Sequence, residues 1–278
     1  MYENGQIKRE CRYKNGLLNG DYDVYWKDGH YKETGTYKDD KEDGIFQYRN
    51  EEGRLQESIT YKGGKKNGVY ESFYERSDPR VRCTYKDDVL DGPYEIYYKN
   101  GQLKEKGTYK NGKLDGMYEA YYENGQLRTK GLVKSSKKEG EWNIYWSNGK
   151  LAEKATYKGG KPTGEKESYY INGQLQRKCV YKDGGICTRE EYDKRGNLIE
   201  KGIFKEVFFG WNTYEESEEI AALKARNRVN ARLKQFAKQM PPSDLRKSAM
   251  RAEVAKFRKK YPTKGAGRAT GKTREGRE

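Results

Sequence analysis

Residues 85–108 read Tyr-Lys-Asp-Asp-Val-Leu-Asp-Gly-Pro-Tyr-Glu-Ile-Tyr-Tyr-Lys-Asn-Gly-Gln-Leu-Lys-Glu-Lys-Gly-Thr. From Tyr109 the chain begins again with Lys-Asn-Gly-Lys-Leu-Asp-Gly-Met-Tyr-Glu-Ala-Tyr-Tyr-Glu-Asn-Gly-Gln-Leu. The period is 24 residues, and the same phase starts at Tyr13, Tyr37, Tyr61, Tyr85, Tyr109, Val133, Tyr157 and Tyr181. A fixed period of this length means a stacked array of small units, each too thin to bury a core alone.

Two turn signals divide each unit. One lies between Lys110 and Gly116 and its equivalents; the other is Asn-Gly, at Asn100-Gly101, Asn124-Gly125, Asn148-Gly149 and Asn172-Gly173. Asn-Gly between alternating runs signals a two-residue type I′ hairpin, because both residues tolerate positive φ. Two turns per unit imply two strands per unit. The expected fold is therefore mainly β, an elongated single-layer antiparallel meander of roughly sixteen strands spaced about 4.8 Å apart. Residues 1–12 form the back half of a unit, since Tyr2-Glu-Asn-Gly-Gln-Ile matches Tyr98-Lys-Asn-Gly-Gln-Leu.

A two-residue loop at Asn100-Gly101 predicts a register. Tyr98 faces Leu103, Ile96 faces Glu105 and Tyr94 faces Gly107 on one side of the sheet, while Tyr97 faces Lys104 and Glu95 faces Lys106 on the other. A ring over a cross-strand glycine supports a weak strand position. The same pairing places Tyr22 over Gly35, Tyr70 over Cys83, Tyr118 over Gly131 and Trp142 over Ala155. Cys11 and Cys179 occupy that small-residue column too, so the cysteines read as small buried residues rather than as a disulfide framework. Opposed charges at Glu71–Arg82, Glu119–Lys130 and Glu167–Lys178 pin the register. The same face carries a ladder of rings at Tyr25, Phe73, Tyr97, Tyr121, Tyr145 and Tyr169. Two readings of that ladder stay open: a surface for binding a protein, or rings stacked on one another to stiffen the sheet.

The array has defects. Arg49 replaces a ladder ring, Arg76-Ser-Asp-Pro79 replaces Asn-Gly, and the unit 181–203 is one residue short, with Glu190 at the place of its first aromatic. Phe204 to Trp211 reads as a cap, so the array is expected to span 1–214 with the cap at 204–214.

From Glu215 the period is absent and the composition becomes helical. Residues 215–278 carry 18 Lys/Arg against 8 Asp/Glu, so most of the net charge of +15 lies there. Two basic amphipathic helices are expected within 215–262, the first capped by Ser217 and the second ending at Pro262, followed by a disordered basic tail at 263–278. Arg226, Arg228, Arg232, Lys234 and Lys238 fall on the first helix, and Lys256, Arg258, Lys259 and Lys260 on the second. Such clusters attract phosphates through counterion release; an acidic protein, a membrane surface or plain solvation are the other readings.

Enzyme chemistry finds no foothold. The lone histidine, His30, sits in a turn, the carboxylates are paired with lysines at repeat-fixed positions, and no Cys/His spacing suits zinc. Ala266 to Thr273 fits a relaxed phosphate-loop pattern but lies in the expected tail. No cofactor or metal is expected. No apolar run reaches the roughly 20 residues of a membrane span and the N-terminus has no signal-peptide core, so the expected location is cytoplasmic.

The unit carried by Gly92-Pro-Tyr94-Glu-Ile-Tyr97-Tyr98-Lys-Asn100-Gly101-Gln-Leu103, and again by Gly116 to Leu127, resembles the MORN repeat. It is closest to the bacterial variant of YwqK-type proteins, described as antitoxin or immunity components, and the resemblance covers about residues 2–203. It implies a non-enzymatic scaffold that binds a partner protein, possibly a toxin in kind, along the tyrosine-rich face. The rival expectation is a structural or adaptor protein of a larger phage or host assembly, contacting nucleic acid or an acidic surface through the basic helices.

Overall fold

A computed structural model describes residues 1–182, 186–205 and 217–239. The chain divides into two units, 1–215 and 216–278. The first is one open antiparallel sheet of nineteen strand segments. Each strand pairs with its neighbours in the chain, from Arg9–Lys14 to Leu198–Lys205. Two segments, Lys41–Glu42 and Lys113–Leu114, are short pieces set off from the next strand by one residue. The expected meander is therefore observed.

The turns exchange the roles expected of them. The type I′ geometry lies at the other turn of each unit: Asn111 and Gly112 have φ of 50° and 76°, and Gly63-Gly64, Asp87-Asp88 and Ser135-Ser136 are likewise positive at both positions. At Asn100-Gly101 only Gly101 is positive, with φ 81°. There Gly101 N–H donates to Tyr98 O at 3.0 Å and Tyr98 N–H to Gln102 O at 2.8 Å. This is the three-residue loop in which a left-handed glycine follows a type I turn. Asn100 keeps its ordinary backbone because its side chain is occupied: Oδ1 accepts from Gln102 N–H at 3.0 Å and Nδ2 donates to Glu123 O at 2.9 Å.

That longer loop alters the register locally. Leu103 pairs with Tyr97, not Tyr98, and Lys104 is the extra residue of a bulge rather than the partner of Tyr97. Beyond the bulge the pairing is the expected one, with Glu105 opposite Ile96, Lys106 opposite Glu95 and Gly107 opposite Tyr94. One residue added to the loop and one absorbed by the bulge cancel, which preserves the faces.

One face buries the rings and the small column. Phe46, Tyr70, Tyr94, Tyr118 and Trp142 are at most 5% exposed, and Tyr85, Tyr109, Leu90 and Leu114 are buried beside them. Four of the rings meet the tyrosine that opens the next unit: Tyr22–Tyr37 and Tyr94–Tyr109 have centroids 5.0 Å apart, Phe46–Tyr61 5.3 Å and Tyr70–Tyr85 6.1 Å, whereas Tyr118, followed by Val133, meets Trp142. Such pairs add about 0.5–1.5 kcal/mol beyond area burial. The expected ring-over-glycine contact is present, but its donor differs. Tyr94 covers Gly107, whereas Gly35 lies under Phe46 and Gly131 under Trp142, both from the following unit. The aromatic position pairs with the small column on both sides, as Tyr94 does with Gly107 and Cys83, so its ring can fall either way. Glu105 is buried here and accepts from Tyr118 Oη at 3.2 Å.

Neighbouring hairpins are laced at both ends of their strands. Tyr74, Tyr98 and Tyr122 donate their hydroxyls to the carbonyls of Tyr97, Tyr121 and Tyr145 at 2.8–2.9 Å. At the other end Asp91 and Asp115 accept from Asn111 N–H and Ser135 N–H at 3.0 Å.

In the short last unit the aromatic position is held by Arg189, opposite Cys179 and Gly202, and not by Glu190. The missing residue precedes it and shifts the phase by one. The Arg189 guanidinium stacks 3.6 Å from the Phe204 ring centroid, where Cys179, Tyr181 and Cys187 form a small cluster. All four cysteines are free thiols, and burial pushes Cys83 up to about 12.

In the second unit a helix spans Glu218–Gln239. Ser217 caps it, its carbonyl accepting from Ala221 N–H at 2.9 Å, and Glu218 and Glu219 lie in its first turn at the favourable end of the dipole. The expected cap beyond Lys205, the second helix, the tail and the phosphate-loop match lie outside the described residues.

Adding a methyl at Gly131 would drive it into the Trp142 ring. Gly131→Ala is expected to cost about 1–3 kcal/mol by overpacking, read as a lower urea midpoint. Tyr98→Phe, which removes only the lacing hydroxyl, is expected to cost about 0.5–1.5 kcal/mol on the same measurement.

Candidate interaction face

The opposite face is half exposed and organised in columns. Tyr25, Phe73, Tyr97, Tyr121, Tyr145 and Tyr169 each end the first strand of a hairpin, so the ladder occupies one column at the rim. Each lies beside the residue that opens the return strand, as Tyr97 beside Leu103, Tyr121 beside Leu127 and Tyr169 beside Leu175. Arg49 holds the same place in its unit, beside Leu55, with its Nη2 donating to Gln47 Oε1 at 2.7 Å.

Most ladder hydroxyls are tied to a glutamate two residues earlier on their own strand. Tyr97 donates to Glu95 and Tyr169 to Glu167, both at 2.6 Å, and Tyr121 donates to Glu119. Tyr25 reaches Glu10 on the adjacent strand at 2.8 Å. Among the described residues no ring–ring contact joins successive members of the ladder; Tyr25 instead stacks on Tyr31 in its own hairpin. The self-stacking reading thus has no contact to support it.

A member that the sequence reading missed is Tyr192. It donates to Glu190 Oε2 at 2.8 Å and lies beside Leu198, as Tyr97, Tyr121, Tyr145 and Tyr169 lie beside their leucines. The Glu-x-Tyr spacing was the available signal, hidden by the one-residue deletion upstream.

The next column alternates in charge from strand to strand: Glu71, Arg82, Glu95, Lys106, Glu119, Lys130. The register pairs are those expected, but some ion pairs close the other way. Arg82 meets Glu71 at 2.9 Å and Lys178 meets Glu167 at 3.5 Å, whereas Lys106 reaches Glu119 at 2.9 Å instead of Glu95. A base between two acids in neighbouring strands can serve either. His30 is exposed in its turn, with Nδ1 3.3 Å from Asp28.

Burial, then the bond to glutamate, pushes the Tyr97 and Tyr169 hydroxyls up to about 12. Tyr121 is raised for the same reasons. Its partner Glu119 is held below the usual range, first by the Tyr121 bond and then by Lys106.

Of the basic positions, Arg226 and Arg228 lie on the helix Glu218–Gln239. Arg232, Lys234 and Lys238 are on the same helix, their side chains outside the description, and Lys256, Arg258, Lys259 and Lys260 lie outside the described residues.

The family described as MORN repeat variant matches residues 2–15, 90–111, 114–135, 138–158 and 162–183. Those segments are similar to MORN repeats. No curated protein matches it. The matched MORN segments contain Tyr97, Tyr121, Tyr145 and Tyr169, whereas the helix falls outside them. Among the described residues no helix is long and apolar enough to cross a membrane, and no group of His, Cys, Asp and Glu could hold a metal ion.

The tyrosine shifts have a definite sign. A hydroxyl raised above its unfolded value of about 10 contributes stability that is complete below that pH and is lost as pH rises through the folded value. The urea midpoint is expected to fall between pH 10 and pH 12, and to fall less in a Tyr97→Phe/Tyr169→Phe variant. An equal fall in both proteins would refute the assignment.

Proposed function

We propose that this chain is a non-enzymatic MORN-repeat scaffold, acting in the cytoplasm, that binds a partner protein along the ladder face in the manner of an antitoxin or immunity protein. The observation that carries this reading is the state of the ladder rings. They are half buried and, among the described residues, make no ring contact with one another, and Tyr97, Tyr121 and Tyr169 are each held by a glutamate and a leucine neighbour. Rings fixed in advance lose little entropy on binding, and tyrosine is among the residues that dominate interface energetics. The alternating charge column beside them supplies specificity and register to a partner.

The test is co-expression with the product of a neighbouring toxin-like reading frame. Tyr97→Arg/Tyr121→Arg is expected to weaken partner binding by at least about tenfold, roughly 1.4 kcal/mol, and to abolish protection, with the fold retained by circular dichroism. Removal of residues 215–278 is expected to leave both intact. If partner binding instead disappears with those residues and survives the ring substitutions, the sheet is a spacer and the basic segment is the contact.

A further inference from the structure

Comparing units column by column separates what builds the sheet from what does not. The buried rings, the small column and the turns recur in most units, with Lys166 and Arg189 at the ring position of the last two, but the position just before the ring varies more. It holds Asp21, then Ile45, Val69, Pro93 and Met117, then Glu141 and Glu165. These residues share the face of the ladder, since they precede Tyr70, Tyr94 and Tyr118 by one on strands whose faces alternate. Ile45 is 58% exposed, Val69 45% and Met117 56%, and Pro93 is exposed.

Their cross-strand partners extend the feature. Ile45 faces Thr60, Val69 faces Thr84, Pro93 faces Thr108 and Met117 faces Leu132. An uncharged strip therefore crosses consecutive strands from Gly44–Arg49 to Leu127–Lys134, roughly 34 Å at the usual strand spacing. Large apolar side chains in consecutive repeats at an exposed position add nothing to the core, and a contiguous apolar patch marks an interaction site.

What flanks the strip says what fits it. On one side, two residues along each strand, runs the alternating acid–base column, which is neutral overall. On the other side, the lysines before and after three of the type I′ turns pair directly, Lys62 with Lys65, Lys110 with Lys113 and Lys134 with Lys137, the first of each pair two residues beyond the strip; Lys86 instead faces Val89. Directly opposed like charges destabilise a sheet, yet the arrangement recurs. The nearby Asp91 and Asp115 already accept backbone N–H groups of the next turn.

The spacing selects the backbone of the occupant. Successive apolar residues lie two strands, or about 10 Å, apart. Seven residues of α-helix rise about 10.5 Å and return to the same face. An extended strand returns to one face every two residues, about 6.6 Å, which does not match. A polyproline helix repeats at about 9.3 Å, but its recognition needs an aromatic-lined groove, and the rings here stand two columns away.

We propose that the strip Ile45–Val69–Pro93–Met117–Leu132 receives an amphipathic helix of the partner protein. That helix lies across the strands, with an apolar residue at each heptad and an acidic flank over the paired lysines. The inference rests on the reading of this face as a protein-binding surface and names the kind of segment it takes.

The experiment pans a displayed library of peptides about three heptads long, with randomised positions, on the intact chain. Enrichment of sequences with heptad-spaced apolar residues and one acidic flank is expected. Their affinity is expected to fall at least about tenfold in Val69→Lys/Met117→Lys, whose exposed positions leave the fold intact by circular dichroism. A centrally placed proline in the peptide should have the same effect. Enrichment of basic, extended or proline-rich peptides, or no enrichment, overturns the inference. Peptides lost with Tyr97→Arg/Tyr121→Arg but unaffected by Val69→Lys/Met117→Lys also overturn it, while leaving the binding face itself in place.

Discussion

The contact on which the sheet depends is an aromatic ring laid over a residue too small to resist it. Tyr94 over Gly107 and Trp142 over Gly131 are the two forms, one within a hairpin and one between hairpins. A single layer has no second sheet to cover its apolar side, so the rings must do so by lying flat. Most residues of that column are small, Gly107, Gly131, Ala155, Cys83 and Cys179 among them; where it holds the larger Ile59, opposite Phe46 and Tyr70, the Phe46 ring lies over Gly35 on its other side. The tyrosine that opens most units closes the gap between successive rings, and exposure falls almost to zero at Tyr85 and Tyr109.

The lacing hydrogen bonds turn this local contact into an array. Tyr98 places its hydroxyl on Tyr121 O, and Asn100 places its amide on Glu123 O. Both partners are one unit away. Stability is therefore carried largely between nearest neighbours, by contacts of the buried face and the strand ends. The opposite face can hold half-buried rings, alternating charges and an exposed apolar strip without weakening the fold. The Tyr–Glu bonds hold Tyr97, Tyr121 and Tyr169 in place, as the proposed recognition surface requires.

Much of this was legible in the sequence because the period repeats each constraint. Tyr94 opposite Gly107, Glu95 opposite Lys106 and the two faces of the sheet follow from alternation and spacing. The errors lay where a local geometry has two solutions. Asn-Gly suits a type I′ turn and also the three-residue loop, and the hydrogen bonds from Asn100 to the next hairpin decide between them. Counting by twenty-four puts Glu190 at the aromatic position, whereas the pairing with Cys179 and Gly202 puts Arg189 there and brings Tyr192 into the ladder.

The sequence by itself determined the hairpin array and the division of residues between the two faces, since these depend on periods of two and twenty-four along the chain. Only the tertiary structure decided which unit's ring covers which glycine, which acid closes on Lys106, and that the ladder rings do not stack. Those outcomes depend on contacts between adjacent units, where two partners stand at similar distance in sequence and only packing in space selects one.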